Sequence, residues 1–311
     1  MLPHLIDDLG VVLRRDLVAA GIDDNAIARR CRGGELTRLR QGVYATTTAY
    51  AAADAAARHL MLCRGVMRLY GPDVALSHTS AALAYGAPAW RVPLDLAHVT
   101  GLETPGTRTQ ARVRHHEGVC RVSDISRRDG HWITAPTRTA LDAAAVLARD
   151  PAVCVLDWFL QAGLTTLQEC RSMLLVRREW SDHLDLTLKL DHAREGSQSV
   201  AESRCHLLFD DHGLPRPTQQ LEVRDERGWL LGIVDFAWPE HRLVVEFDGK
   251  EKYHRHRRDG ESIEQMVMRE KDREDRIRAV TGWTVIRISW ADLEDPRLLI
   301  ARLRRHLAAA A

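Results

Sequence analysis

The stretch VDFAWPEHRLVVEFDGKEKYH, residues 234 to 254, constrains this chain more than any other. Leu243, Val244 and Val245 form an apolar run of the kind that makes a buried strand. Glu246 and Asp248 follow at once, then Gly249 and Lys250. Unpaired charge at the inner end of a strand is costly. The segment must therefore either hold these charges for a purpose or lie on the surface as a solvated hairpin. In a strand, residues two apart share a face, so Glu246 and Asp248 point together, and Lys250 continues their row if the strand passes Gly249. Asp235 lies in the preceding strand, and a turn at Pro239-Glu240-His241 returns the chain beside it. Asp235 then sits across from Glu246 or Asp248. Converging carboxylates repel, and a divalent cation with oxygen ligands is the usual resolution.

The rest of the chain bounds this reading. At 311 residues it is too long for one typical core. Its net charge of +1 names no anionic partner, so any nucleic-acid surface must be local. The six cysteines are scattered without a Cys-x-x-Cys pair, which argues for reduced thiols and against a zinc ribbon. The opening MLPHLIDDLG carries acids early and does not read as a signal peptide. No apolar run approaches the roughly 20 residues that span a bilayer. A cytoplasmic protein with no membrane segment is expected.

Residues 1 to 48 read as three short helices and a hairpin, the order of a winged helix. The helices are expected at LIDDLG, RRDLVAAGI and DDNAIARRCRGGE, and the hairpin turns at Gln41-Gly42. Between residues 27 and 42, Arg29, Arg30, Arg32, Arg38 and Arg40 stand against Glu35 alone. The first three lie on the helix that would enter a major groove. Arg38 and Arg40 are two apart on the wing strand and are expected on one face. A solvated arginine-rich helix is the plainer alternative. Residues 49 to 195 alternate strands and helices as an α/β middle domain. There His78 and Ser80 suggest a strand-to-helix cap rather than a nucleophile pair. Residues 196 to 311 read helix, three strands, a basic loop, a long charged helix, a strand and a final helix. The loop holds Lys252, Tyr253, Arg255, Arg257 and Arg258 with His254 and His256. Basic residues interleaved with an aromatic suit a phosphate backbone, or simply a solvated loop. The long helix is expected to turn Ile263, Met266, Ile277 and Val280 to the core.

Two resemblances rest on these residues. The pattern from Asp235 to Glu246-x-Asp248-Gly249-Lys250, with Glu202 in SVAESRCHLLF and the downstream GWTVIRISW, resembles the PD-(D/E)XK nuclease superfamily. The nearest branch is the one related to very-short-patch repair endonucleases, and the match spans about residues 198 to 309. The resemblance implies a mixed sheet flanked by helices, a Mg²⁺ or Mn²⁺ site and phosphodiester hydrolysis. It makes Asp235, Glu246 and Asp248 metal ligands, Lys250 a charge stabiliser and Glu202 a further catalytic group. The lysine slot counted from Glu246 falls on Asp248, and counted from Asp248 it falls on Lys250; the sequence leaves both open. Second, GVVLRRDLVAAGI…IARRCRGGELTRLRQGVYA, with LSHTSAALAYGAP and TAPTRTALDAAA, resembles AbiEi-type antitoxins and related regulators. That resemblance implies autoregulatory DNA binding and, where a toxin gene lies alongside, a cognate toxin as partner. The expected fold is thus α/β and multidomain. A metal-dependent DNA endonuclease with a DNA-binding head is the first function to test. A non-catalytic regulator or antitoxin with a degenerate nuclease domain is the alternative, and RNA remains a third kind of substrate.

Overall fold

The structure, a computed structural model, describes residues 3–102, 106–118, 120–177, 182–248 and 262–308. The chain divides into two compact units, residues 1–193 and 194–311.

The first unit opens with β1 (Val11–Leu13), α1 (Arg14–Ala19), α2 (Asp24–Arg32), β2 (Leu36–Arg40) and β3 (Val43–Thr46). The three strands form an antiparallel sheet in the order β1-β3-β2. This is a winged-helix arrangement, but the expected first helix is absent. LIDDLG instead gives a 3-10 turn at Pro3–Leu5 and then a strand. The cause is Asp7, whose Oδ1 accepts the N–H groups of Leu9 at 3.1 Å and Val11 at 2.8 Å. A short side chain that bonds nearby backbone competes with a helix. Gly10 completes the turn at φ +81°, where an added Cβ would sit 2.6 Å from that of Ala49. Helix α2 starts where the sequence says it should, because Asp23 accepts the Ala26 N–H at 2.7 Å.

Helices α3 (Thr47–Ala52) and α4 (Ala55–Tyr70) follow. Then come β4 (Val74–Leu76), α5 (His78–Tyr85), β5 (Ala97–Gly101), β6 (Arg108–Gln110), β7 (Val113–His116), β8 (Ile125–Arg128) and β9 (His131–Thr134). These strands make a six-stranded mixed sheet in the order β6-β7-β5-β4-β9-β8. Helices α6 (Pro136–Val146), α7 (Arg149–Gln161), α8 (Leu167–Val176) and α9 (His183–His192) close the unit. The wing and the six-stranded sheet share one core. Val11, Leu13, Leu39 and Val43 pack in the same cluster as Met61, Leu62 and Val66 of α4 and Val99, Val113 and Ile133 of the sheet. Gly65 permits this approach, since a Cβ there would meet Val43 Cγ1 at 2.1 Å.

The second unit contains α10 (Val200–Asp211), β10 (Thr218–Arg224), β11 (Leu230–Trp238), β12 (Leu243–Phe247), α11 (Ile263–Thr281), β13 (Thr284–Ile288), α12 (Trp290–Glu294) and α13 (Arg297–Ala308). Its sheet runs β10-β11-β12-β13, with β12 and β13 parallel and the other pairs antiparallel. One face buries Phe236, Leu243, Val245, Phe247 and Ile286 against α10 and α13. The other buries Val244 and Val285 with Ile277 of α11. This is the expected mixed sheet flanked by helices. On α11, Ile277 is buried as expected, but Val280 is 46% exposed. The positions of the Ile263 and Met266 side chains lie outside what the structure describes.

Candidate functional site

In the winged head, Val12, Leu17, Ile27, Leu36 and Tyr44 make a small core that fixes α2 against the hairpin. On the outer side of α2, Arg29 and Arg32 are exposed, and on β2 so is Arg38. No acid among the described residues pairs with any of the three. Arg30 differs, because its Nη1 donates to Glu35 Oε2 at 2.9 Å. Arg40 corrects the expectation most sharply. Arg38 pairs with Tyr44 and Arg40 with Val43, so β2 carries a bulge between them. An extra residue in one strand turns the side chains beyond it. Arg40 therefore points inward, only 9% exposed, over the Tyr70 ring at 5.5 Å. It does not share the face of Arg38.

In the second unit, the register Phe236↔Val245 places Asp235 opposite Glu246, one of the two options the sequence left open. Both side chains lie on the α11 side of the sheet, because Phe236 and Val245 fill the other. Each carboxylate is engaged by protein donors. Asp235 Oδ2 accepts the Phe247 N–H at 2.8 Å. Glu246 Oε1 accepts Arg273 Nη2 at 2.8 Å, and Arg273 Nη1 donates to the Ile233 carbonyl at 2.7 Å. Glu202 is buried, with Oε1 accepting the Ser199 hydroxyl at 2.7 Å. Its Oε2 accepts the Gln198 N–H at 2.9 Å and Gln220 Nε2 at 3.0 Å. That is a helix N-terminal cap in chemistry as well as position. Asp248 is exposed, 3.7 Å from Arg287 Nη1. Among the described residues no three His, Cys, Asp or Glu side chains are disposed to hold a metal ion. Arg273 supplies the charge at Glu246 that a cation would otherwise neutralise, so the described residues hold no open ion site as arranged. Lys250, Lys252, Tyr253, His254, Arg255, His256, Arg257 and Arg258 lie outside the described residues.

A third cluster, in the first unit, has little signature in the sequence. His116, on β7, stacks on both His78 and His98, with ring centroids 3.5 Å and 5.0 Å apart. His98 Nδ1 and His116 Nε2 share a hydrogen bond of 2.9 Å. Burial, then neighbouring positive charge, lowers the basicity of all three. His98 falls to about 4 and His116 to about 3; His78 falls well below its usual value. Beside them Arg138 Nε donates to Asp142 Oδ1 at 2.7 Å, and Arg138 and Arg177 both reach Asp124. Burial pushes Asp142 up to about 6, against the pull of Arg138. His78 begins the helix after β4, at the strand-to-helix junction where it was expected, and its hydrogen bond goes elsewhere than to Ser80. His78 Nδ1 bonds the Ser77 hydroxyl at 2.9 Å, while Ser80 Oγ bonds His59 Nε2 at 2.9 Å and accepts the His98 N–H at 2.8 Å. These histidines are dispersed along the sequence and meet only when strands β5 and β7 pair.

No helix among the described residues is long and apolar enough to cross a membrane. The chain is similar to the uncharacterized proteins MT2308 and Rv2248 of Mycobacterium tuberculosis strains CDC 1551 and H37Rv. Each is 29% identical over 245 residues, which cover 77% of this chain and 86% of the relative. The solved RV2827C protein from Mycobacterium tuberculosis is similar at 17% identity and a TM-score of 0.39, over 69% of this chain and 78% of that one. Residues 1–47, the winged head, match the family described as "Transcriptional regulator, AbiEi antitoxin".

Proposed function

We propose that this protein is a DNA-binding transcriptional regulator of the antitoxin type. The observation that carries the reading is the set of Arg29, Arg32 and Arg38, exposed on α2 and the wing and lacking an acidic partner among the described residues. Cations held out in this way on a winged helix suit the phosphates and base edges of a duplex. The family match over the same residues supports it. A cognate toxin is then the second partner, and the cytoplasm the compartment in which both would be met. Fluorescence anisotropy of a labelled duplex tests the reading. Binding should weaken steeply between about 50 and about 200 mM salt, as phosphate contacts require. Binding that ignores salt and survives Arg29→Glu with Arg32→Glu would remove it.

The second reading is phosphodiester cleavage by the second unit. It rests on Asp235 and Glu246 facing each other on one side of the sheet. Supercoiled plasmid incubated with Mg²⁺ or Mn²⁺, against a chelator control, tests it. Cleavage lost in Asp235→Asn would support it, and intact plasmid with either ion would remove it.

A further inference from the structure

Helix α2 ties down some of its polar side chains and leaves others free. Arg14 of α1 grips Asp24 in the first turn, its Nε donating to Oδ1 at 2.6 Å and its Nη2 to Oδ2. A bare carboxylate there would repel an approaching phosphate; the guanidinium neutralises it. Asp23 is spent on the Ala26 N–H as the helix cap. Arg30 is held by Glu35. Asn25, Arg29 and Arg32 are left. All three are exposed, and none of their side chains has a hydrogen-bond or ion-pair partner among the described residues.

Their spacing puts them on one stripe. At 3.6 residues per turn, positions 25, 29 and 32 fall within about 60° of one another. Ile27, buried in the core of the head, lies on the opposite side of the helix. The stripe therefore turns away from the core. Asn25 is the second residue of α2 and Arg29 the sixth, counted from Asp24. In a helix that enters the major groove, the N-terminal residues are the ones that reach base edges.

We propose that Asn25 and Arg29 read bases in the major groove, while Arg32 holds a phosphate beside them. The assignment rests on the DNA reading above and deepens it. An Asn amide offers a donor and an acceptor side by side, the match of adenine N7 and N6. An Arg fork offers two donors, the match of guanine N7 and O6. Four residues of helix advance about 6 Å, close to two base-pair steps of about 3.4 Å each. The bound site is therefore expected to carry an A·T pair and a G·C pair about two steps apart. Arg32 stands in the last turn of α2, beyond the residues that reach the bases, where the sugar-phosphate backbone is the nearer target.

The test is selection of duplexes from a randomised pool by the full chain, with the bound pool sequenced for the wild type, Asn25→Ala, Arg29→Gln and Arg32→Ala. The wild type should enrich adenine and guanine at that separation. Asn25→Ala should lose the adenine preference and keep the guanine. Arg29→Gln should lose about ten- to a hundredfold of the guanine preference and move that position towards adenine, which a glutamine amide matches. Arg32→Ala should weaken all sequences alike and lower the salt slope by about one contact. The three positions are exposed, so the variants should fold, and circular dichroism checks that they do. A selected site whose adenine and guanine preferences survive both Asn25→Ala and Arg29→Gln overturns the assignment and leaves the DNA reading standing. So does a wild type that binds duplex and enriches no sequence. A wild type that binds no duplex removes the DNA reading and the assignment with it.

Discussion

The winged head and the carboxylate cluster of the second unit handle charge in opposite ways. On the head, Arg29, Arg32 and Arg38 are held out into solvent with no acid beside them among the described residues. In the second unit, Glu202, Asp235 and Glu246 are drawn into the fold, and each is met by a donor of the same chain. The difference teaches how to separate charges that serve a partner from charges that serve the structure. Exposed charge costs little to keep and is available. Half-buried charge must be satisfied, and once it is satisfied internally its removal is felt as lost stability.

The largest stability effect expected from this contrast is at Arg273. Arg273→Ala leaves Glu246 half-buried and without that partner, and frees the Ile233 carbonyl. Removing one member of a largely buried pair costs about 2–3 kcal/mol here, discounted for the partial exposure of both side chains. Urea unfolding of the variant should show that loss with an unchanged slope. A variant as stable as the wild type would mean that Glu246 is held open for something else.

Acid is expected to act on the first unit instead. His98 and His116 have folded values near 4 and 3, below the usual histidine value near 6.5. The unfolded chain takes up these protons first, so stability should fall as pH drops below about 6.5, by about 1.4 kcal/mol per pH unit for each net proton. Asp142, raised to about 6, works against this. Its folded form takes a proton between about 6 and the usual carboxylate value, which stabilises the fold in acid. Three histidines outweigh one carboxylate, so the net slope remains downward. Thermal unfolding between pH 7 and pH 5 checks the sign, and His98→Gln should flatten the curve.

How far the sequence foretold these arrangements depends on whether local chemistry or distant pairing decides them. Helix α2 was legible because Asp23 is a cap and Ile27 falls at helical spacing, both local signals. The strand pair around Pro239 was legible for the same reason, and with it the approach of Asp235 to Glu246 or Asp248, between which only the register Phe236↔Val245 decides. Arg40 was not, because a one-residue bulge inside β2 reverses the face of the residues beyond it, and no residue type announces it. The missing first helix turned on a single carboxylate, Asp7, bonding its own backbone. The partners of the carboxylates were hidden for a different reason. Arg273 sits among the mixed charges of a long helix, and only the crossover from β12 through α11 to β13 brings it over Glu246. The histidine cluster likewise depends on β5 and β7 pairing, two strands separated in sequence by the whole of β6.

The smallest of these stability effects is at Glu202. Glu202→Ala removes the acceptor for Ser199, the Gln198 N–H and Gln220. The loss of a helix cap is about 1 kcal/mol, measurable as a modest fall in the urea midpoint.

The most direct test of the contrast is one anisotropy experiment, duplex binding by the wild type, by Arg32→Glu/Arg38→Glu and by Asp235→Asn/Glu246→Gln, repeated across a range of salt. The head variant is expected to lose at least about a hundredfold in affinity and to lower the salt slope by about two contacts' worth. The carboxylate variant is expected to bind as the wild type does wherever it remains folded. A head variant that binds normally, or a folded carboxylate variant that loses DNA, would contradict the division of charge between the two units.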